Sequence, residues 1–126
     1  MKRKLFHISD ILSITTGRML STRHVEGVYD ILNFMTGDNL FTHQLPRAAN
    51  ICKPHLLKQF PQLKDVRDGG VNADNIDEFI SLMIHDFGEW LEVAPIPHEE
   101  WAHINPVTEL EGMLDQSYTK IIILRN

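Results

Sequence analysis

Apolar positions along the chain recur mostly at helical spacing. The clearest stripe is Ile76, Phe79, Ile80, Met83, Ile84 and Phe87. It follows the i, i+3, i+4, i+7, i+8 rule of an amphipathic helix. Asn72 or Asp74 caps it and Gly88 stops it. A second stripe, Val25, Val28, Leu32 and Met35, is widened by Tyr29 and Ile31 and predicts a helix from Ser21 or Thr22 to Gly37. Gly27 inside it marks a close approach of helices. A shorter apolar turn, Ile11, Leu12 and Ile14, predicts a helix capped by Ser9 or Asp10 and ended by Gly17.

The helix expected next begins at Thr42 or His43, with Pro46 in its first turn, where proline is tolerated. Pro54 is expected to break or kink it after Lys53, leaving Leu56, Leu57 and Phe60 on a short helix before Pro61. Asn105 and Pro106 start a last helix, with Val107, Leu110, Met113 and Leu114 expected inward. Residues 4–8 and 89–94 read as extended, and the β-branched run from Tyr118 to Leu124 reads as a strand. That strand is expected to pair with 89–94, with 4–8 as a further neighbour. The fold class is therefore α+β, a helix-rich single domain over 1–126 with a small antiparallel or mixed sheet. The loop 65–72, with Gly69-Gly70, is read as a subdomain boundary between halves 1–64 and 73–126. The segments Asp10–Leu20 and Asp30–Leu40 agree at six of eleven positions, which is read as two helix ends of similar design.

Charge sharpens the division. Residues 1–63 carry eight Lys/Arg and four Asp/Glu, whereas 64–126 carry four and thirteen. Between Arg67 and Lys120 there are twelve acids and no Lys or Arg. This half is unsuited to phosphate contacts, so nucleic-acid binding through it is disfavoured. A solvated face is one reading of the acids. The other is a surface that meets a basic partner, through Glu89, Glu92, Glu99, Glu100 and Trp101. Exposed, Trp90 and Trp101 would anchor that contact; buried, they belong to the core. No apolar run approaches the roughly 20 residues of a membrane span, so no membrane partner is expected. The segment after Lys2-Arg3-Lys4 contains His7, Ser9 and Asp10, unlike the apolar stretch of a leader. The single Cys52 fits a reducing compartment. A soluble, cytoplasmic protein is expected.

Chemistry-bearing patterns are sparse. His98 and His103 stand five apart, about 140° around a helix, and so do not form the two-histidine zinc pattern. No metal and no other cofactor is expected. Lys53 beside Cys52 would favour a thiolate, but a lone helical cysteine is more often a small core residue. Phosphate-binding glycine loops and the G-x-S-x-G elbow are absent. The segment richest in polar groups is Thr36–Arg47. With Arg18 and Arg23 it suggests a pocket for a small anionic ligand, built from Arg18, Arg23, Asp38, His43 and Arg47. The competing reading is a network of helix caps.

Two runs carry a resemblance: Leu5-Phe6-His7-Ile8-Ser9-Asp10-Ile11-Leu12-Ser13-Ile14-Thr15-Thr16-Gly17-Arg18 and Tyr29 through Ala48. Over residues 5–63 the chain resembles small uncharacterised proteins encoded by bacteriophages and prophages. The resemblance implies no activity and no catalytic residue. It implies a phage accessory gene expressed in a bacterial cytoplasm. The first expectation is a non-enzymatic accessory protein that binds a host protein with a basic surface, as an anti-defence inhibitor similar to anti-CRISPR proteins would. The alternative is a sponge for a small anionic ligand such as a nucleotide signal. A homo-oligomer is open under either.

Overall fold

The structure, a computed structural model, describes residues 2–67 and 69–114. In chain order the elements are β1 (Lys4–His7), α1 (Ile8–Thr16), α2 (Val25–Thr36), α3 (Leu45–Gln59), α4 (Ile76–Phe87) and β2 (Trp90–Val93). A further helix, α5, occupies 106–114 among the described residues. Single 3-10 turns lie at Thr42–Gln44, Pro61–Leu63 and His98–Glu100. The fold is helix-rich α+β. Its strands pair antiparallel, Lys4 opposite Val93 and His7 opposite Trp90. The expected strand Tyr118–Leu124 lies outside the described residues.

Helix α1 is central and is buried from Ile8 to Thr15. Phe6, Ile11, Leu12, Ile31, Leu32 and Leu56 share its core with Val71, Ile80, Val93 and Ile96. Apolar residues from both sides of the 65–72 loop therefore enter one cluster. Because α1 is covered on all sides, its polar residues must find partners inside. Ser13 Oγ donates to the Ser9 carbonyl (3.0 Å) and accepts the N–H groups of Leu20 (2.9 Å) and Ser21 (2.8 Å). That fills the capacity of a hydroxyl and fastens the loop after α1.

The similarity of Asp10–Leu20 to Asp30–Leu40 has a structural meaning. Thr16 and Thr36 each donate to the carbonyl four residues back, and each accepts the N–H two residues on. Gly17 and Gly37 follow at φ 77° and 71°, where a side chain would be strained. Ser13 holds the N–H of Leu20, and Asn33 Oδ1 holds that of Leu40 (3.0 Å). Both leucines are buried. The resemblance thus covers a helix end together with the loop that returns to it.

Several sequence expectations are corrected. The N-cap of α1 is His7, whose Nδ1 accepts the Ser9 N–H (3.1 Å); Ser9 and Asp10 lie inside the helix. Helix α2 begins at Val25, after His24 at φ 57°, because Ser21 and Thr22 are held by the polar residues of α1. Pro54 does not break α3, which runs through it to Gln59. Pro54 and Asn50 are exposed, so water can satisfy the carbonyl that proline leaves without a donor. Val107, Leu110, Met113 and Leu114 are exposed instead of inward, because α5 is held by its polar side, as described next.

Candidate functional site

The alternation of a strand places Phe6 inward, and with it Leu91 and Val93 of the partner strand. Leu5, His7, Trp90 and Glu92 therefore share the outer face. Trp90 is 55% exposed, as is Leu5. The Trp90 ring meets His7 edge-on at 5.2 Å between centroids. His7 is fixed from both sides: Nδ1 lies 2.8 Å from Ser9 Oγ and Nε2 lies 3.3 Å from Glu89 Oε2. This order imitates a serine–histidine–acid line, but Ser9 is fully buried and its Oγ also accepts the Thr22 N–H. The line therefore serves as a helix cap. A notch of about 220 Å³ opens beside Trp90, with Lys4, Leu5, His7, Arg23 and Asp30 on its wall. Glu89 and Glu92 are exposed around this face.

Under the sheet lies a buried acid. Asp10 Oδ1 accepts from Ser21 Oγ (2.5 Å) and Oδ2 from Arg23 Nη2 (2.8 Å). The other arm of Arg23 reaches Asp30 (2.6 Å). The hydrogen bonds that Arg23 donates to Asp10 and Asp30 raise its pKa further, keeping it a cation. Gly27 faces this network, as expected of a close approach: a Cβ there would lie 2.1 Å from Ser21 Oγ and 2.3 Å from Asp10 Oδ1.

The polar segment Thr36–Arg47 proves to be a clamp on the chain 60 residues later. Gln44 is buried, with its amide bound to the Ile104 carbonyl and to Glu109 (both 3.1 Å). Arg47 grips Glu109 with two nitrogens (3.1 and 2.9 Å) and the Ala102 carbonyl with a third (3.1 Å). Its guanidinium also lies 3.9 Å from the centre of the Trp101 ring. Trp101 donates to Asp38 (2.9 Å), whose Oδ2 also meets His103 Nδ1 (2.8 Å). His43 Nε2 donates to the Pro106 carbonyl (2.8 Å). The Arg47 hydrogen bonds, against some burial, hold the Glu109 carboxyl below its ordinary range. Burial pushes Asp38 up, but the bonds from His103, Trp101 and the Asn39 N–H outweigh it and the carboxyl stays low.

The expected anion-binding residues are thus distributed. Asp38, His43 and Arg47 converge on residues 101–109. Arg23 joins Asp10 and Asp30. Arg18 lines an apolar groove with Met19, Leu45 and Pro46. Of the expected partner-facing residues, Glu89, Glu92, Glu99 and Glu100 are exposed, and Glu100 pairs with His55. Trp101 is only 8% exposed, so it belongs to the core and offers no anchoring surface. Leu5 and His7 also belong to this surface, and Phe6 as the inward position of a strand marks both neighbours as outward. Asp10, a cap candidate by sequence, instead lies inside α1 and binds Ser21 and Arg23. Cys52 is buried, and that burial pushes its thiol up to about 12, far from a reactive thiolate. His98 and His103 form no metal set with a third ligand among the described residues.

Residues 6–66 match the model of a domain of unknown function, DUF7736. The matched stretch runs from β1 through α3 and the turn after it, and leaves β2 and the acidic half outside. It overlaps the 5–63 stretch singled out in the sequence and brings no activity. No curated protein and no solved structure matches the chain.

Proposed function

We propose that the protein is a non-enzymatic binding protein whose outer sheet face docks on a host protein with a basic surface. The observation that carries this is Trp90, 55% exposed on a paired strand beside Leu5 and the notch, with Glu89 and Glu92 around it. An apolar anchor ringed by charge is the usual form of an interface hot spot. Glu89 and Glu92 beside Trp90 favour a partner that offers Lys or Arg at those two points, while Lys4 and Arg23 line the notch itself. Helix α4 adds exposed Asp77, Glu78 and Asp86 to the same half of the chain, which would speed encounter with a basic surface. Such a surface is typically one that holds nucleic acid. This chemistry, with the phage resemblance, supports a phage accessory role in the host cytoplasm, as an anti-defence inhibitor.

The test compares wild type with Trp90→Ala and with the pair Glu89→Lys and Glu92→Lys in capture from a bacterial lysate. Proteins held by wild type in a salt-sensitive manner are expected to be lost from both variants. Because Trp90 and both glutamates are exposed, folding stability should change by less than about 1 kcal/mol. Identical retention by all three proteins removes this face from the argument.

A further inference from the structure

A cavity of about 390 Å³ lies where the last turn of α1 meets α3 and the chain after the Pro61–Leu63 turn. Thr15 and Thr16 contribute from α1, Lys53 from α3, and Lys64 and Arg67 from beyond that turn. No carboxylate lines it among the described residues. Neither Lys53 nor Lys64 has a side-chain partner among the described residues. Arg67 folds back, with Nη1 donating to the carbonyls of Lys64 (3.1 Å) and Val66 (3.4 Å). Thr15 is 8% exposed, and its buried Oγ1 has no hydrogen-bond partner among the described residues. A buried hydroxyl without a partner is costly and rare.

Three cations gathered with no acid among the described lining residues repel one another, in a chain whose net charge is −5. The C-terminus of α1 attracts positive charge, but a helix end amounts to only about half a charge. The Leu12 carbonyl there already accepts from Thr16. An anion accounts for what remains. Two ammonium groups and a guanidinium suit a tetrahedral oxyanion. The volume lies in the range of roughly 300–1,000 Å³ typical of small-ligand sites, larger than a bare phosphate needs.

We infer that this cavity binds a small organic phosphate. Lys53, Lys64 and Arg67 hold the phosphate group. The site shares no residue with the Trp90 face or with the Arg18, Arg23, Asp38, His43 and Arg47 set, so it stands or falls apart from both.

Calorimetric titration of the full chain with inorganic phosphate, ribose 5-phosphate and adenosine 5′-monophosphate tests it, with ribose, adenosine and an oligothymidylate as comparisons. Saturable binding is expected for at least one of the two phosphate esters and for neither uncharged compound. Lys53→Gln and Lys64→Gln should each weaken it about tenfold or more, while Arg18→Gln leaves it unchanged. Both lysines are exposed, so these variants keep the fold. Thr15→Val should leave ester binding unchanged and raise the melting temperature, because it removes a buried hydroxyl that has no partner among the described residues. The inference is overturned if neither ester saturates, if the double lysine variant binds as well as wild type, or if only the oligonucleotide binds.

Discussion

Adding one methyl group at Gly27 probes the buried acid at the centre of the fold. Glycine to alanine within a helix normally stabilises by about 0.5–1 kcal/mol. Here the new Cβ would lie 2.1 Å from Ser21 Oγ and 2.3 Å from Asp10 Oδ1. Ordinary contact needs roughly 3.5 Å, so Ser21 and Asp10 must retreat by about an ångström. That breaks the 2.5 Å bond between them and disturbs the 2.8 Å bond from Arg23. A hydrogen bond to a charged group contributes about 1.5–3 kcal/mol, and a carboxylate left partly unsatisfied in the interior costs more. The net expectation for Gly27→Ala is a loss of about 2 kcal/mol. At about 4 °C per kcal/mol for a chain of this size, the melting temperature falls by about 8 °C. Denaturant unfolding followed by circular dichroism measures it. Gly112→Ala, on α5 where nothing lies within 4 Å of the added methyl, should show the ordinary gain instead. In the Asp10→Ala and Ser21→Ala background the same Gly27 change should cost little. A Gly27→Ala protein as stable as wild type would refute the reasoning.

Two further outcomes concern the clamp. Arg47→Lys keeps the charge but loses the planar fork on Glu109 and the stacking on Trp101. It is expected to loosen residues 98–114 by about 1–2 kcal/mol, read as faster proteolysis there at unchanged helical content, and equal protection would contradict it. The second is acid sensitivity. Asp38 and Glu109 are held below their ordinary values of 3.8 and 4.5. Their stabilisation is therefore full above those values and is lost as pH falls through the lower folded ones. In a Trp90→Phe background, Trp101 fluorescence should report release of the clamp below about pH 4; a transition near neutral pH would point to another group.

What the sequence made legible was local. The stripe from Ile76 to Phe87 became α4, and the Thr-Gly endings of α1 and α2 are left-handed glycine caps. These features depend on neighbours a few residues away. Ser9 and Asp10 read as cap candidates, and with Ser13 their true role is hidden from the local pattern, because their partners come from the loop at 20–23. The polar run at 36–47 was visible as chemistry but not as a clamp, since Glu109 and Trp101 lie some sixty residues on. The two tryptophans differ only in the geometry around them. Trp90 is on the outward register of a strand, while Trp101 lies beneath Arg47. Periodicity does not read such distant pairings.

The pairing of Lys4–His7 with Trp90–Val93 also orders events during synthesis. The first strand leaves the ribosome more than eighty residues before the second. At translation rates of about 5–20 residues per second, that interval is roughly 4–17 seconds. Helices α1, α2 and α3, which pack on one another, emerge within it and can collapse locally. Meanwhile β1 presents an open hydrogen-bonding edge beside the newborn core. Lys2, Arg3 and Lys4 sit at that edge, where positive charge discourages a neighbouring nascent chain from supplying the missing strand.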